Sequence, residues 1–472
     1  MARCPLLPLV LALSLLAPAP CAASRADLVP MRARGGRLYT ELLARERASD
    51  AAAGVLRNST PNYFDQLVYH NDTARGTFKQ RYFVDNTYFD AATGPVFLNI
   101  GGEGPAGGSP GGGAAWLGQQ LGALLITIEH RYYGDSFPAP LSDRATLAAT
   151  LNIDTVMEDL AAFVRYIKAQ LTGSHKWLSI GGSYSGALSA WLRVKHPELI
   201  DAAWSSSGVV NAVYNYTAFD HQVLRDVDAE CAGALKAVTA AFEAAWDAGG
   251  ATKAALLATF GTADYFTKAD MAWMLADSAA MGAQYGAKAA LCAAITPLTD
   301  PLAQFAKWTD VHYGPGFGSN CYYSTRCLSD PSMSAQWIPA DYQWVAQCCQ
   351  ELAYWQVHDA DTYRSAAITL DYYNGQCQAA FGFSPNATNT NFNTRYGGAT
   401  PNGTNIIALN GSDDPWQRAA VQASLSPSYV EFLATCDGCG HCGDLGAPRA
   451  GEPPAIAVQH AAIQAYVTQW LA

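Results

Sequence analysis

The sequence predicts an α/β fold, a mainly parallel sheet with helices on both faces, that carries an inserted helical segment. Short apolar runs alternate with segments of 3.6-residue apolar spacing, which predicts the layered sheet. Alanine-rich helical segments dominate residues 209–398, which predicts the insertion. The 472 residues are enough for one large domain with a second inserted into it.

The strands of the sheet are predicted in chain order. Two segments near the start of the fold, at 63–70 and 78–84, are predicted to form a pair of edge strands. Continuous apolar runs predict the buried strands, at 95–100, 121–129, 177–180, 202–206, 405–409 and 429–433. Helical spacing predicts a helix at 155–170 between these strands and another at 455–471 that closes the chain.

The most informative motif is GGSYSG at residues 181–186, between a predicted strand and a predicted helix. A strand, a tight glycine-rich turn with a serine at its tip and a helix form the nucleophile elbow of an α/β-hydrolase. Small residues let the backbone turn sharply. The helix N-terminus favours negative charge that develops at the serine. The motif therefore predicts covalent catalysis through Ser183.

A second serine, Ser109, meets the strict G-x-S-x-G pattern, whereas Ser185 replaces the second glycine of the pattern around Ser183. An elbow needs the N–H of the residue after the nucleophile for the oxyanion hole. Pro110 follows Ser109 and has no N–H. We also find no helical pattern after Ser109, only glycines at 111–113. We interpret Ser109 as a turn residue.

The acid and the histidine of an α/β-hydrolase triad follow the serine in that order. Asp414 comes just after a late predicted strand, and Asp413 is the alternative. Of the nine histidines, only His441 and His460 lie late enough in the chain. His460 falls inside the predicted closing helix, whereas His441 lies in a loop, where a triad histidine belongs.

The roles of these residues follow from serine chemistry. Ser183 attacks the substrate, His441 relays its proton, and Asp414 fixes the histidine tautomer and stabilises the imidazolium. The oxyanion hole is predicted to combine the N–H of Tyr184 with an N–H of the 101–104 loop, at Gly102. This chemistry needs no cofactor.

The loop around His441 allows a rival interpretation as a zinc site. Cys436, Cys439, His441 and Cys442 are all zinc-ligand types, and they start with a C-x2-C spacing. In a secreted chain, disulfides are the commoner fate of such cysteines. Zinc ligation would also leave the triad without a histidine. We therefore expect no metal, and we expect the three cysteines to be oxidised, at least two of them in disulfides that pin the loop.

The N-terminus is typical of a secretory signal peptide, which we expect to span residues 1–23. Arg3 provides a positive start, residues 6–16 are apolar, and small residues at 17–23 suit cleavage. No other run approaches the ~20 apolar residues of a membrane span. We expect a secreted, lysosomal or vacuolar protein that does not enter a membrane.

The charge balance argues against a nucleic-acid partner. The chain has 40 acidic and 29 basic residues, a formal net charge of −11, whereas a nucleic-acid-binding protein shows a basic excess. Half of the residues are hydrophobic and 15% are charged, which is typical of a globular protein. We leave a homodimer open.

Cysteines and glycosylation motifs fit the secretory route. Of the 12 cysteines, Cys4 and Cys21 fall in the predicted signal peptide, and an even set of ten predicts disulfides. The expected participants are Cys231, Cys292, Cys321, Cys327, Cys348, Cys349, Cys377, Cys436, Cys439 and Cys442. The expected glycosylation sites are Asn58, Asn71, Asn215, Asn386 and Asn402, while Asn410 is expected to lie too near the active site to be modified.

Seven motifs spread over the mature chain carry a family resemblance. They are GGEG at 101–104, EHRYYG at 129–134, GGSYSG at 181–186, QCCQE at 347–351, DYYNGQC at 371–377, NG with DPW at 410–416, and HCGD at 441–444. With them the chain resembles the serine carboxypeptidase family of prolyl carboxypeptidase, dipeptidyl-peptidase II and thymus-specific serine protease, most closely the thymus-specific type.

The resemblance implies a domain organisation and a substrate. Residues 209–398 would form a helical cap domain, and 24–208 and 399–472 would form the two parts of an α/β-hydrolase domain. Ser183, Asp414 and His441 would be the triad. The implied substrate is a short peptide with proline at the residue whose carbonyl is attacked.

The predicted function is therefore a secreted or lysosomal serine exopeptidase that cleaves short peptides next to proline. A lipase or esterase of the same fold is the alternative, and a catalytically inactive binding protein is a third. Glu351 is a candidate to hold a substrate terminus, or else a buried partner of an arginine. We leave open which end of a peptide is trimmed.

Two further groups are expected to be structural. Residues 129–132 are interpreted as a hydrogen-bonding corner at the end of a strand. Four aromatic side chains are expected to pack in the core of the cap, with lining of the S1 pocket by some of them as the alternative, namely Trp337, Trp344, Tyr354 and Trp355.

Overall fold

A computed structural model describes residues 58–314, 317–336, 340–383 and 390–472. The predicted signal peptide at 1–23, the predicted glycosylation site Asn386 and Trp337 lie outside the described residues. Within the described ranges, none of the helices combines the length and the apolar composition that crossing a membrane requires.

An eight-stranded sheet forms the centre of the protein. Its strands are β1 (Asn62–Leu67), β2 (Thr77–Asp85), β3 (Val96–Ile100), β4 (Leu124–Ile128), β5 (Trp177–Gly182), β6 (Ala202–Ser206), β7 (Ile406–Gly411) and β8 (Tyr429–Ala434). They lie in the order β1-β2-β4-β3-β5-β6-β7-β8. β1 and β2 pair antiparallel at the edge, β2 pairs antiparallel with β4, and the remaining neighbours are parallel. The predicted edge pair and the buried parallel strands are thus confirmed.

Four helices accompany the first six strands. They are α1 (Gly112–Leu121), α2 (Arg144–Thr150), α3 (Ile153–Lys168) and α4 (Tyr184–Lys195). The expectation that no helix follows Ser109 is wrong, because α1 begins at Gly112. Its glycines allow the helix to pack closely, since a Cβ on Gly112 would lie 2.3 Å from the carbonyl oxygen of Leu445.

A long helical segment lies between β6 and β7 in the chain. It contains α5 (Thr217–Asp226), α6 (Ala229–Ala248), α7 (Gly250–Phe260), α8 (Lys268–Gln284), α9 (Lys288–Ile295), α10 (Pro301–Tyr313), α11 (Thr325–Ser329), α12 (Asp341–Gln347), α13 (Leu370–Phe381) and α14 (Thr390–Tyr396). Polar caps fix several of its helix starts: the Asp228 side chain caps α6, and Thr267 and Asp270 form a capping box at α8. The domain boundaries at 209 and 398 remain a prediction. After β8, α15 (Pro454–Leu471) ends the fold.

Each face of the sheet buries its own core. Neighbouring residues on one strand point to opposite faces, so that Leu98 joins one core and Phe97 the other. The first core continues into α3, α4 and the inserted helices. The second packs against α1 and α15, through Leu117 and Ile463 for example. With helices on both faces and a strand–turn–helix elbow after β5, the chain has an α/β-hydrolase fold.

Candidate active site

Ser183 lies in the sharp turn between β5 and α4. Its backbone φ of 60° and ψ of −125° are strained for a residue with a side chain. The turn is closely packed, since a Cβ on Gly181 would lie 2.1 Å from the carbonyl oxygen of Ser185. Ser183 is only 5% exposed. The fold thus holds Ser183 strained and nearly enclosed where the parallel strands end, the edge of an α/β sheet at which ligands bind.

Ser185 replaces the second glycine of the strict motif, and its hydrogen bonds explain why serine fits. Its hydroxyl accepts the Gly182 N–H at 3.1 Å and donates to the Gly182 carbonyl at 2.8 Å. The tight position is one residue later: a Cβ on Gly186 would lie 2.6 Å from the carbonyl oxygen of Ser206. Serine at 185 therefore braces the elbow instead of obstructing it.

Ser109 has a different environment from Ser183. It is fully buried, its hydroxyl accepts the Asn58 N–H at 3.0 Å, and its own N–H donates to the Asn58 carbonyl at 2.9 Å. Both the side chain and the backbone of Ser109 are therefore used to hold the segment before β1.

Asp414 and His441 are brought together by the loops that follow β7 and β8. Asp414 accepts the N–H of Trp416 at 2.9 Å through Oδ1 and lies 2.7 Å from His441 Nδ1 through Oδ2. Both side chains are fully buried. The neighbouring carboxylate of Asp413 is used elsewhere, by the Lys288 ammonium at 2.8 Å and the Gly438 N–H at 2.7 Å.

The inserted segment holds the backbone of His441. Gln284, the last residue of α8, accepts the His441 N–H at 2.7 Å through its carbonyl. The carbonyl in that bond belongs to the Gln284 backbone, and the Gln284 side chain accepts the indole N–H of Trp416 at 3.0 Å through Oε1. His441 Nε2 has no hydrogen-bond partner among the described residues. Asp414 therefore fixes the ring through Nδ1, and Gln284 fixes the backbone of His441. Nε2 remains available to accept a proton.

Two opposing effects set the pKa of His441. Burial would lower it, but the Asp414 carboxylate, with a further contribution from the adjacent Cys442 side chain, outweighs burial and raises the pKa well above the ordinary histidine value. His460, the other late histidine, lies in α15, where its ring nitrogens contact Glu452 and the Asp444 carbonyl.

The two segments expected to form an oxyanion hole are both buried at this edge. Tyr184 starts α4, directly after Ser183, and Gly102 lies in the loop after β3. The Tyr184 hydroxyl is held by His130 Nε2 at 3.0 Å and by the Gln347 amide at 2.7 Å. These contacts fix the residue whose N–H stands next to the nucleophile.

The other residues of the 129–132 corner make structural contacts. The Ser136 hydroxyl donates to Glu129 at 2.7 Å, and Arg131 forms a buried ion pair with Asp159. This agrees with the expectation of a hydrogen-bonding corner at the end of β4.

Glu103 is a site residue that the sequence analysis did not single out, although it lies in the GGEG motif. It is 2% exposed, and its Oε1 has no hydrogen-bond partner among the described residues. Burial raises the pKa of Glu103 to about 7, against smaller lowering effects from its own backbone and from His441. A buried carboxyl group without a full set of partners is a site for a ligand or a proton.

A cavity of about 650 Å³, open to solvent, adjoins these residues. Its described lining consists of Glu103, Trp273, Asp277, Met281, Gln284, Tyr322, Asp341, Trp344, Cys348, Ala353, Tyr354, Trp355, Gln356 and Trp416. The ring of Trp344 lies 5.4 Å from that of Tyr184, next to the elbow. Trp344, Tyr354 and Trp355 are buried, as expected for the core, and all three also line the cavity, which was the alternative left open for them.

Glu351 lies outside the described lining of this cavity. Its carboxylate accepts the Ile153 N–H at 2.7 Å, at the start of α3, and the Arg395 guanidinium at 2.9 Å. Of the two roles expected for Glu351, the contacts are those of a half-buried partner of an arginine.

Eight of the ten expected cysteines form disulfides. The pairs are Cys231–Cys292, Cys321–Cys327, Cys349–Cys377 and Cys436–Cys439. The last pair uses two of the sulfurs that a zinc site would need and lies just before His441. Cys348 and Cys442 are buried free thiols, so the expectation that they are oxidised is wrong. Their neighbours explain this: Cys349, not Cys348, meets Cys377, and the Cys442 sulfur lies 3.6 Å from the Ser206 carbonyl oxygen.

The expected glycosylation sites differ in exposure from Asn410. Asn58, Asn71, Asn215 and Asn402 are exposed, whereas Asn410 is 4% exposed in β7. Glycosylation at the four exposed positions and at Asn386 stays a prediction.

Comparison with known proteins places the chain in a family. The sequence model described as Serine carboxypeptidase S28 matches residues 66–463. The chain belongs to this family. A probable serine protease EDA2 of Arabidopsis thaliana is 31% identical over 409 residues, covering 82% of this chain and 81% of the relative. The thymus-specific serine protease of Mus musculus is 29% identical, with 85% of each chain covered.

More distant matches complete this comparison. The lysosomal Pro-X carboxypeptidase of Bos taurus is 25% identical, with 87% of each chain covered. Among solved structures, a proline iminopeptidase of Mycobacterium smegmatis matches 87% of this chain and 98% of its own, at 13% identity and a TM-score of 0.38. The family membership and the serine protease relatives identify the chain as a serine-type peptidase.

Proposed function

We propose that this chain is a serine exopeptidase of the secretory pathway that hydrolyses short peptides beside proline, through an acyl-enzyme on Ser183. One observation carries the proposal: His441 lies 2.7 Å from Asp414 through Nδ1 while its Nε2 is unpaired among the described residues, at the sheet edge that holds the strained Ser183.

The proposed reaction uses these groups in sequence. His441 Nε2 takes the hydroxyl proton of Ser183 while Oγ attacks the peptide carbonyl. The N–H groups of Tyr184 and Gly102 stabilise the oxyanion. His441 then gives its proton to the leaving amine, so that the C–N bond breaks and an ester on Ser183 remains. A water molecule, deprotonated by His441, hydrolyses that ester and releases the acid.

The aromatic wall of the cavity supports proline as the residue at the attacked carbonyl. Proline has a fixed φ and no N–H, so a compact apolar slot can select it by shape without a backbone acceptor. Trp344 and Tyr354 are nearly parallel at 6.4 Å, and Trp416 packs edge-on against Tyr354 at 5.5 Å. A relative with 25% identity is named a Pro-X carboxypeptidase, which agrees with this substrate class.

The inserted helices support a preference for short peptides. Most of the described lining of the cavity comes from the segment between β6 and β7. A wall built from another segment restricts the approach of a folded protein, whereas a flexible peptide end can enter. Four disulfides and exposed Asn-x-Ser/Thr motifs support a route through the secretory pathway.

A peptide-cleavage profile tests the proposal. Peptides of matched length with Pro or Leu at the cleavage position, an acyl ester and a denatured protein are incubated with the enzyme, and products are identified by mass spectrometry. We expect the Pro peptide to be cleaved at least about tenfold faster in kcat/KM than the Leu peptide, a loss of at least 1.4 kcal/mol of transition-state stabilisation. Equal cleavage of both, or efficient internal cleavage of the denatured protein, would exclude the proline-exopeptidase function.

A further inference from the structure

We infer that the cavity lined by Glu103, Asp277 and Asp341, called the acidic cavity below, binds the protonated α-amine of a peptide, so that substrates are trimmed from the amino terminus. The inference rests on the proposed function and adds to it which end of the peptide the site accepts.

The charged side chains of the acidic cavity all have one sign. Its described lining includes three carboxyl side chains, Glu103, Asp277 and Asp341, and no lysine, arginine or histidine. The carboxylate at a peptide C-terminus would enter beside groups that repel it, whereas an ammonium group is attracted. A cation also offsets the cost of burying carboxylates together.

Glu103 provides the observation that points to a ligand rather than to a structural cluster. Its side chain is almost completely buried, and Oε1 lacks a hydrogen-bond partner among the described residues. An ammonium group has three N–H donors and no acceptor, which suits an unpaired carboxylate oxygen. Burial raises the pKa of Glu103 to about 7, and a bound ammonium group would hold the carboxyl group in its charged form.

The aromatic wall is compatible with the same ligand. Trp273, Trp344 and Trp416 line the acidic cavity together with its carboxyl groups. Indole faces attract cations, and they also provide apolar surface for a proline ring. A peptide end that carries an ammonium group and a proline within two residues thus finds both kinds of contact in one cavity.

The acidic cavity also lies within reach of the nucleophile. Glu103 directly follows Gly102, the expected oxyanion residue. Asp277 lies seven residues before Gln284 on α8, about 10 Å along the helix axis. Gln284 in turn holds the backbone of His441, and about three extended residues of a peptide span the roughly 10 Å between Asp277 and Gln284.

Two neutral hydrogen-bond donors could instead favour binding of the C-terminal carboxylate of a peptide. Gln284 Nε2 and Trp355 Nε1 line the acidic cavity and lack partners among the described residues. They could donate to a terminal carboxylate, but that carboxylate would share the cavity with three carboxyl groups. Donation to a neutral backbone carbonyl of the substrate carries no such repulsion, and we assign these donors to that contact.

Substrates with blocked ends test the direction of trimming. One proline peptide is prepared in four forms, with a free or acetylated N-terminus and a free or amidated C-terminus. We expect acetylation to lower kcat/KM by at least about tenfold, equivalent to 1.4 kcal/mol, and amidation to change it less than about twofold. Mass spectrometry should show release of N-terminal fragments. A large loss on amidation with none on acetylation would overturn the inference.

Two variants test the assigned carboxyl groups. Glu103→Gln and Asp277→Asn should each reduce the ratio of kcat/KM for the free peptide to that for the acetylated peptide by at least about fivefold, while cleavage of the acetylated peptide persists. The ratio separates amine binding from a general loss of folding. Asp277→Asn keeps an oxygen that can accept the Tyr323 hydroxyl, so this variant is conservative. An unchanged ratio in both variants would overturn the inference.

Glu243→Gln is the matched control. Glu243 is a half-buried carboxylate of α6 that accepts the Ser365 hydroxyl and lies outside the described lining. This variant should retain the wild-type ratio. Labelling with a fluorophosphonate, combined with product analysis, distinguishes failure of the proposed function from failure of the inferred direction of trimming. Labelling of Ser183 without cleavage beside proline would reject the proposed function. Cleavage beside proline from the C-terminus would reject only the direction of trimming.

Discussion

His441 is the single residue whose surroundings determine the most about the chemistry. Its burial disfavours the protonated ring, yet the carboxylate of Asp414, together with the Cys442 side chain, more than compensates and raises the pKa of His441. The only ring nitrogen without a partner among the described residues is Nε2. A proton taken from Ser183 would therefore be held at a nitrogen that is both oriented and stabilised by Asp414.

Asp414→Asn should lower kcat by a factor of about 10⁴, because an amide can hold the histidine in the wrong tautomer and does not stabilise the imidazolium. The neighbouring change Asp413→Asn is the control. Asp413 contacts Lys288 and the Gly438 N–H rather than the ring, so we expect a loss of less than about tenfold. Steady-state kinetics on one peptide compares the two, and a larger loss for Asp413→Asn would reverse the assignment of the acid.

The raised pKa of His441 also predicts a pH dependence. The neutral ring is the base, so activity is present above the pKa of His441 in the enzyme–substrate complex and is lost as the pH falls through it. The acid limb of kcat should lie above the ordinary histidine value of about 6.5. Asp414→Asn should move that limb to lower pH. A wild-type limb below pH 6, or no movement in the variant, would contradict this explanation.

At the scale of the elements, the loops after β7 and β8 and the C-terminus of α8 together position the catalytic histidine. The loop after β8 is joined to the loop after β7, since the Asp413 N–H donates to the Cys439 carbonyl at 2.9 Å. The Cys436–Cys439 disulfide closes a tight turn in the same loop. The C-terminus of α8 then holds the His441 N–H. The inserted segment thus takes part in positioning the histidine in addition to walling the cavity.

Two disulfides should separate stability from activity. Loss of Cys231–Cys292, which spans 61 residues, should lower the free energy of unfolding by about 4 kcal/mol, and loss of Cys436–Cys439, which spans three, by about 2 kcal/mol. Activity should respond in the opposite order, because only the second disulfide adjoins His441. Double Cys→Ser variants are compared by denaturant unfolding and by kcat. A Cys436/Cys439 variant with wild-type kcat would show that the disulfide does not position the loop.

At the scale of the whole molecule, local patterns predicted the sheet and the Ser183 elbow, and motif order predicted the pairing of Asp414 with His441. Apolar periodicity and turn residues are local signals, and chain order in this fold restricts the remaining choices. The cavity could not be obtained in this way, because Glu103, Asp277 and Trp416 meet only after three distant segments pack together. The sequence also could not show that Cys348 is a buried free thiol, because its adjacent neighbour Cys349 is an equally suitable partner and forms the disulfide with Cys377.

The most direct test of the central claim is active-site labelling of the folded enzyme with a fluorophosphonate, followed by peptide mapping. The label should be found on Ser183 and should be lost, together with peptide hydrolysis, in Ser183→Ala, whose kcat should fall by about 10⁶ while its unfolding transition is retained. Labelling of Ser109 instead, or wild-type turnover by Ser183→Ala, would contradict the account.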